Sequence, residues 1–205
     1  MDLSNVYLAD RNTYYLVTQG PVSTGAYDFV VKFPQGASIG SQSFVVVSVK
    51  SATDYSNTYS TTPDYDMDGG DLGAPAMEGT IGGSAGLTDA GEMIVLFTWD
   101  GVSDLVSDLD YLLWGNTNNA ADKTGITVGN GTYLADTLAS SQAFAPSETT
   151  GGETLHRCDT AEDTETQTGG NGTSGHDETS EDCSLAWKRD APPSPGAAPA
   201  SGFCP

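Results

Sequence analysis

Side chains able to do chemistry in this sequence are mostly carboxylates, and the sharpest pattern among them is Asp64-Tyr65-Asp66-Met67-Asp68-Gly69-Gly70-Asp71. Aspartates at alternate positions ahead of glycine match the first half of a calcium loop, where carboxylates converge on the ion and glycine permits a sharp turn. Asp64, Asp66, Asp68 and Asp71 are therefore the candidate calcium ligands. The pattern wants a bidentate glutamate at its twelfth position, but Pro75 stands there, and Glu78 substitutes only in a longer loop. The competing expectation is a solvated acidic loop.

A second acidic set, Asp100, Asp104, Asp108 and Asp110, brackets a hairpin signal. Paired carboxylates hydrolyse glycosides only where a sugar cleft holds one of them protonated, and no such cleft is legible here. Turn shaping by Asp100 with Gly101 and strand-end capping by the others are expected instead. His156 and His176 are the only histidines. His176-Asp177-Glu178, near Asp182 and Cys183, suggests a transition-metal set, but it fits no zinc spacing, and a self-bonded polar loop is the ordinary expectation. Serine is plentiful, yet no nucleophile-elbow pattern flanks any of it. Cys158 and Cys183 are expected to pair, closing an apolar-poor segment for about 3 kcal/mol in the chain-entropy model. Such a bridge suits an exported protein. Cys204 is then left over.

The elements that must position these residues read as strands. Residues 6–8, 14–17, 28–33, 43–49, 92–99 and 110–115 are short runs rich in β-branched and aromatic residues, separated by Gly, Pro, Asn and Asp. Residues 43–49 form the longest β-branched run and predict a central strand. The pattern predicts an all-β protein, a β-sandwich with long irregular loops. Residues 53–90 read as one such loop. Residues 160–184 hold almost no large apolar side chain, and Leu185-Ala186-Trp187 is the last apolar cluster, a strand or a plug. One domain is expected over 1–190, followed by a Pro/Ala-rich flexible tail over 191–205.

Charge excludes some function classes. Seven Lys and Arg face 28 Asp and Glu, a formal net charge of −21. Nucleic-acid binding through a basic patch and attraction to an anionic membrane both need clustered cations that this chain lacks. No apolar run is long enough to insert across a bilayer as a helix. The acidity suits a surface kept soluble in salt, or one that recruits divalent cations or a basic partner.

Several segments, in order, carry a resemblance. Asp2-Leu3-Ser4-Asn5-Val6-Tyr7-Leu8 opens the chain, and Asp28-Phe29-Val30-Val31-Lys32-Phe33-Pro34-Gln35-Gly36-Ala37-Ser38-Ile39 follows. Then come Phe97-Thr98-Trp99-Asp100-Gly101 with Asp108-Leu109-Asp110-Tyr111-Leu112-Leu113-Trp114-Gly115, then Leu155-His156-Arg157, the stretch Gly169 to Glu181, and Ser194-Pro195-Gly196. The chain resembles a lamin tail domain of the bacterial surface and secreted-protein branch. The resemblance implies an immunoglobulin-like β-sandwich without catalytic residues, serving as a binding or anchoring module of an exported bacterial protein. Its place would be extracellular or at the cell surface, and its partner an unknown protein or envelope component. The alternatives are an accessory subdomain of a secreted calcium-dependent hydrolase or nuclease, and a gene fragment without function. The family carries two further strands ahead of the Asp2 segment. The expectation is thus an N-terminally truncated sandwich, with an unpaired edge and part of its core open and any secretion signal lost with the missing strands.

Overall fold

Short apolar runs become short strands here, and five of them build the central sheet in a computed structural model that describes residues 1–22, 25–147, 151–158, 161–162 and 164–198. In chain order the first strands are β1 (Val6–Ala9), β2 (Phe29–Lys32), β3 (Val47–Ser48), β4 (Tyr65–Asp66) and β5 (Glu78–Ile81). They are followed by β6 (Glu92–Thr98), β7 (Ser107–Trp114), β8 (Thr127–Val128), β9 (Gly131–Thr132), β10 (Thr154–Arg157) and β11 (Trp187–Ala191). The sheet runs β5-β2-β1-β6-β7, antiparallel throughout. β3–β4, β8–β9 and β10–β11 are separate two-stranded pairs. The described residues thus make a β-rich, mainly antiparallel fold.

Both faces of the sheet are covered, which the period of two in the sequence explains. Along β6, Met93, Val95 and Phe97 are buried while their neighbours are half-buried. They join Ala9, Val30, Tyr111 and Leu113 in one core. The alternate residues Val6, Phe29 and Val31 join Leu3, Phe33 and Met77 in a second core on the other face. Side chains one position apart serve opposite faces, so register is strongly specified. At the β5 edge the backbone comes so close to β2 that a Cβ on Gly79 would lie 2.4 Å from the Val30 carbonyl oxygen. Only glycine permits that approach.

Several expectations need correction. The opening segment supplies β1, the middle strand of the five, with Tyr7 between Lys32 of β2 and Phe97 of β6. Residues 14–17 are not a strand but part of a 3-10 helix, Tyr14–Gln19, that buries Tyr14 and Tyr15. Residues 43–49 are not a central strand. Only Val47 and Ser48 pair, in parallel with β4, and Val46 bonds to Asp64 and Tyr65. Among the described residues, the backbones of 43–45 make no backbone hydrogen bond. β-propensity shapes a strand, but a ladder needs a neighbour. The stretch 53–90 is more ordered than expected, containing most of helix α1 (Ala52–Tyr59) as well as β4 and β5. Ser51 caps α1 by accepting the Asp54 N–H at 3.0 Å. The cluster 185–187 divides between helix α2 (Cys183–Ala186) and β11.

Candidate functional site

The calcium-loop aspartates are engaged by backbone. Asp66 is fully buried and accepts the N–H groups of Gly70 at 2.8 Å, Asp71 at 3.1 Å, Asp68 at 3.2 Å and Ala52 at 3.3 Å. Asp64 accepts the Val46 N–H at 2.8 Å, and Asp71 accepts the Thr53 hydroxyl at 2.5 Å. Among the described residues, no three of Asp64, Asp66, Asp68 and Asp71 bring an oxygen each within 4.8 Å of the others. Asp66 gathers its own loop, a role Asp plays in tight turns.

The hairpin aspartates divide into four jobs. Asp100 accepts the N–H groups of Ser103 and Val102 and the Ser103 hydroxyl, which hold its carboxyl down at about 2. Asp104 accepts the Asn130 N–H at 2.8 Å, tying the β8–β9 turn to the hairpin. Asp108 goes inward. Its carboxylate meets Lys123 Nζ at 2.7 Å and accepts the Tyr14 hydroxyl at 2.6 Å, while Asp136 lies 2.9 Å from the same ammonium. Lys123 has no exposed surface and sits 5.4 Å from the Tyr14 ring centre. Burial works against its charge, but the attraction of Asp108 and Asp136 outweighs that and holds its pKa well above the ordinary lysine value. Burial pushes Asp108 upward in spite of the lysine; with two carboxylates on one ammonium, the lysine is the group whose charge the arrangement secures. Sequence reading missed Lys123, Tyr14 and Asp136, since nothing local marks groups that meet across the chain.

Asp110 belongs to a second cluster. Arg157, on β10, meets Asp110 at 2.5 Å, Glu162 at 3.5 Å and, more closely, Glu181, and it lies 5.3 Å from the Trp187 ring centre. Beside it His176 Nδ1 lies 2.5 Å from Glu165 Oε1. Glu162, Glu165 and His176 each place one donor atom within 4.8 Å of the others. The stretch Gly169-Gly170-Asn171-Gly172 supports this corner from behind. A Cβ on Gly170 would fall 2.2 Å from the His176 carbonyl oxygen, so only glycine lets the two segments touch. Of the metal set suggested from sequence, only His176 takes part. Asp177 accepts the Thr179 hydroxyl at 2.6 Å, Asp182 caps α2, and Glu178 is buried but is not one of the three donors. His156 sits buried on β10.

The cysteine pairing needs correction. Cys183 is a free thiol, enclosed against β7 with its sulfur 3.9 Å from the Tyr111 carbonyl oxygen, and burial pushes it up to about 12. An enclosed thiol with so little thiolate has no route to exchange. Cys158 is disulfide-bonded, but not to Cys183. Cys204 lies outside the described residues.

Buried carboxyls give the protein a pH signature. Burial, then repulsion from Glu165 and Asp110, pushes Glu178 up to about 9. Burial raises Glu181 to about 7 against the pull of Arg157, and raises Asp10 to about 7 against the Phe29 N–H that it accepts at 2.6 Å. All three keep protons that the unfolded chain has lost above about pH 4. Their contribution to stability is full below the unfolded value and is lost as pH rises through 7 and then 9. Melting at pH 5 is therefore expected about 5 °C or more above melting at pH 8, by calorimetry in constant salt. A flat or rising profile over that interval contradicts these assignments.

One face of the sheet leaves an open apolar cleft of about 600 Å³. Leu8, Leu96 and Leu109 form its floor, with Phe33, Ile39 and Phe44 among its walls. Phe44 is 48 % exposed, and residues 43–45 run along the rim.

Comparison with protein-family models, with curated proteins and with solved structures gave no match. Function has to come from the chemistry of the cleft and the clusters. Lys123 and its carboxylates are sealed from solvent and serve the fold. The cleft and the Glu162–Glu165–His176 corner are two places that could meet a ligand. Among the described residues no helix is long and apolar enough to cross a membrane.

Proposed function

We propose that the chain is a non-catalytic binding module that receives an extended apolar segment from a protein or envelope partner. One observation carries this reading: residues 43–45, in the most β-prone run of the chain, have no ladder partner among the described residues and border an apolar cleft. An incoming strand would satisfy those backbone groups while its alternate side chains fill the cleft, which is recognition by strand addition. The immunoglobulin-like, lamin-tail-type architecture belongs to this proposal, and so does an extracellular or cell-surface location. The resemblance of the Asp2, Asp28 and Asp108 segments supports the first. A disulfide at Cys158, in a chain of net charge −21, supports the second. The charge also favours an apolar or basic partner over nucleic acid.

A backbone-amide and methyl NMR titration with a synthetic peptide of alternating valine and threonine tests the reading. Shifts are expected at the amides of 43–47 and the methyls of Leu8, Leu96 and Leu109. Phe44→Ser is expected to weaken binding about tenfold or more, from the lost burial of one large side chain. Shifts confined to another surface, or none at millimolar peptide, would overturn it.

A further inference from the structure

The corner formed by Glu162, Glu165 and His176 has an oxygen that the described residues do not satisfy. Glu165 has a side chain only 1 % exposed. Its Oε1 faces His176 Nδ1 at 2.5 Å, but its Oε2 is buried with no hydrogen-bond partner among the described residues. Buried carboxylate oxygens are normally satisfied, because leaving one bare forfeits its hydration without return. The His176 contact accounts for Oε1 and leaves Oε2 unaccounted for. The surroundings make the omission more costly, since Glu162, Asp110 and Glu181 share one arginine, Arg157. Excess negative charge around an unsatisfied, buried carboxylate calls for a cation.

We propose that Glu162, Glu165 and His176 bind a divalent first-row transition-metal ion. The donor set chooses the class. One imidazole nitrogen with carboxylate oxygens suits zinc, manganese or iron, whereas calcium and magnesium prefer oxygen alone. Three donor atoms within 4.8 Å of one another can close on one ion at about 2.0–2.2 Å after small side-chain rotations. His176 and Glu162, with side chains 26 % and 35 % exposed, have the freedom to make them. The ion would clasp Glu162 and Glu165 to the glycine-backed turn at His176, and water would complete its coordination.

Calorimetric titration of the full chain with zinc chloride, in buffer holding millimolar calcium, tests this. One zinc ion per chain is expected, with a melting temperature raised by several degrees when saturated. His176→Ala and Glu165→Gln are each expected to weaken zinc binding at least about tenfold. Should Glu165→Gln fail to fold, Glu162→Gln, at a half-exposed position, gives a second reading of the site. In the cobalt-loaded protein the visible absorption bands are expected to change with either the His176 or the Glu162 variant. No zinc heat at millimolar concentration, or zinc binding indifferent to all three substitutions, would overturn the proposal. The second result would assign the heat to the acidic surface at large.

Discussion

Lys123→Met is expected to destabilise the protein by about 3–5 kcal/mol, the usual cost of breaking a buried ion pair by removing one partner. Without the ammonium, Asp108 and Asp136 face each other with no cation between them, both almost wholly buried. Asp108 would keep the Tyr14 hydroxyl, and Asp136 the Lys123 N–H and one Asn171 amide hydrogen. Those bonds satisfy lone pairs but supply no positive charge. The network joins the Tyr14–Gln19 3-10 helix, β7 and the 123–136 segment, so its loss loosens three parts of the larger core together. Urea unfolding measures it. The combined variant Lys123→Met with Asp108→Asn and Asp136→Asn should recover a large part of the loss, because it removes the charges along with their partner. A single-variant loss below about 1 kcal/mol would mean the lysine is not the cation that holds this region.

Arg157→Met is expected to cost about 3 kcal/mol, for a related reason with a different outcome. Arg157 is 14 % exposed and fastens β10 to Asp110 of β7 and to Glu181, while its guanidinium packs over Trp187. Glu181, 2 % exposed in its side chain, would lose its cation. Here the damage should be local. Hydrogen exchange is expected to rise first at 154–157 and 187–189, before the amides of β1 and β6 respond. Equal acceleration across the central sheet would contradict that division of labour.

What the sequence made legible follows from range. The β6–β7 hairpin, the Asp100-Gly101 turn and the β2 run could be read because alternation and turn residues act between near neighbours. The run 43–49 was misjudged because propensity specifies a shape and cannot provide a partner. Tyr14 and Tyr15 read as strand because aromatics favour sheets, yet packing against Phe97 and Tyr133 draws them into a 3-10 helix. The calcium-like loop shows the limit of a half motif: aspartates before glycines serve equally well to bind their own backbone. Of the candidate metal corner, His176 was visible as one of two histidines. Glu162 and Glu165 were two acids among 28, and only the glycine-backed fold brings them beside it. The pairing of Cys158 with Cys183 failed for the same reason, since proximity in sequence says nothing of a thiol packed against β7.

Binding without catalysis is proposed for the cleft beside residues 43–45. Native mass spectrometry of the protein with the alternating valine–threonine peptide tests it most directly, because one spectrum reports both capture and chemical change. The account predicts a complex of one peptide per chain, with the peptide released at unchanged mass after prolonged incubation with zinc or calcium present. A peptide recovered cleaved, or no complex at concentrations well above those that shift the cleft residues in solution, would contradict it.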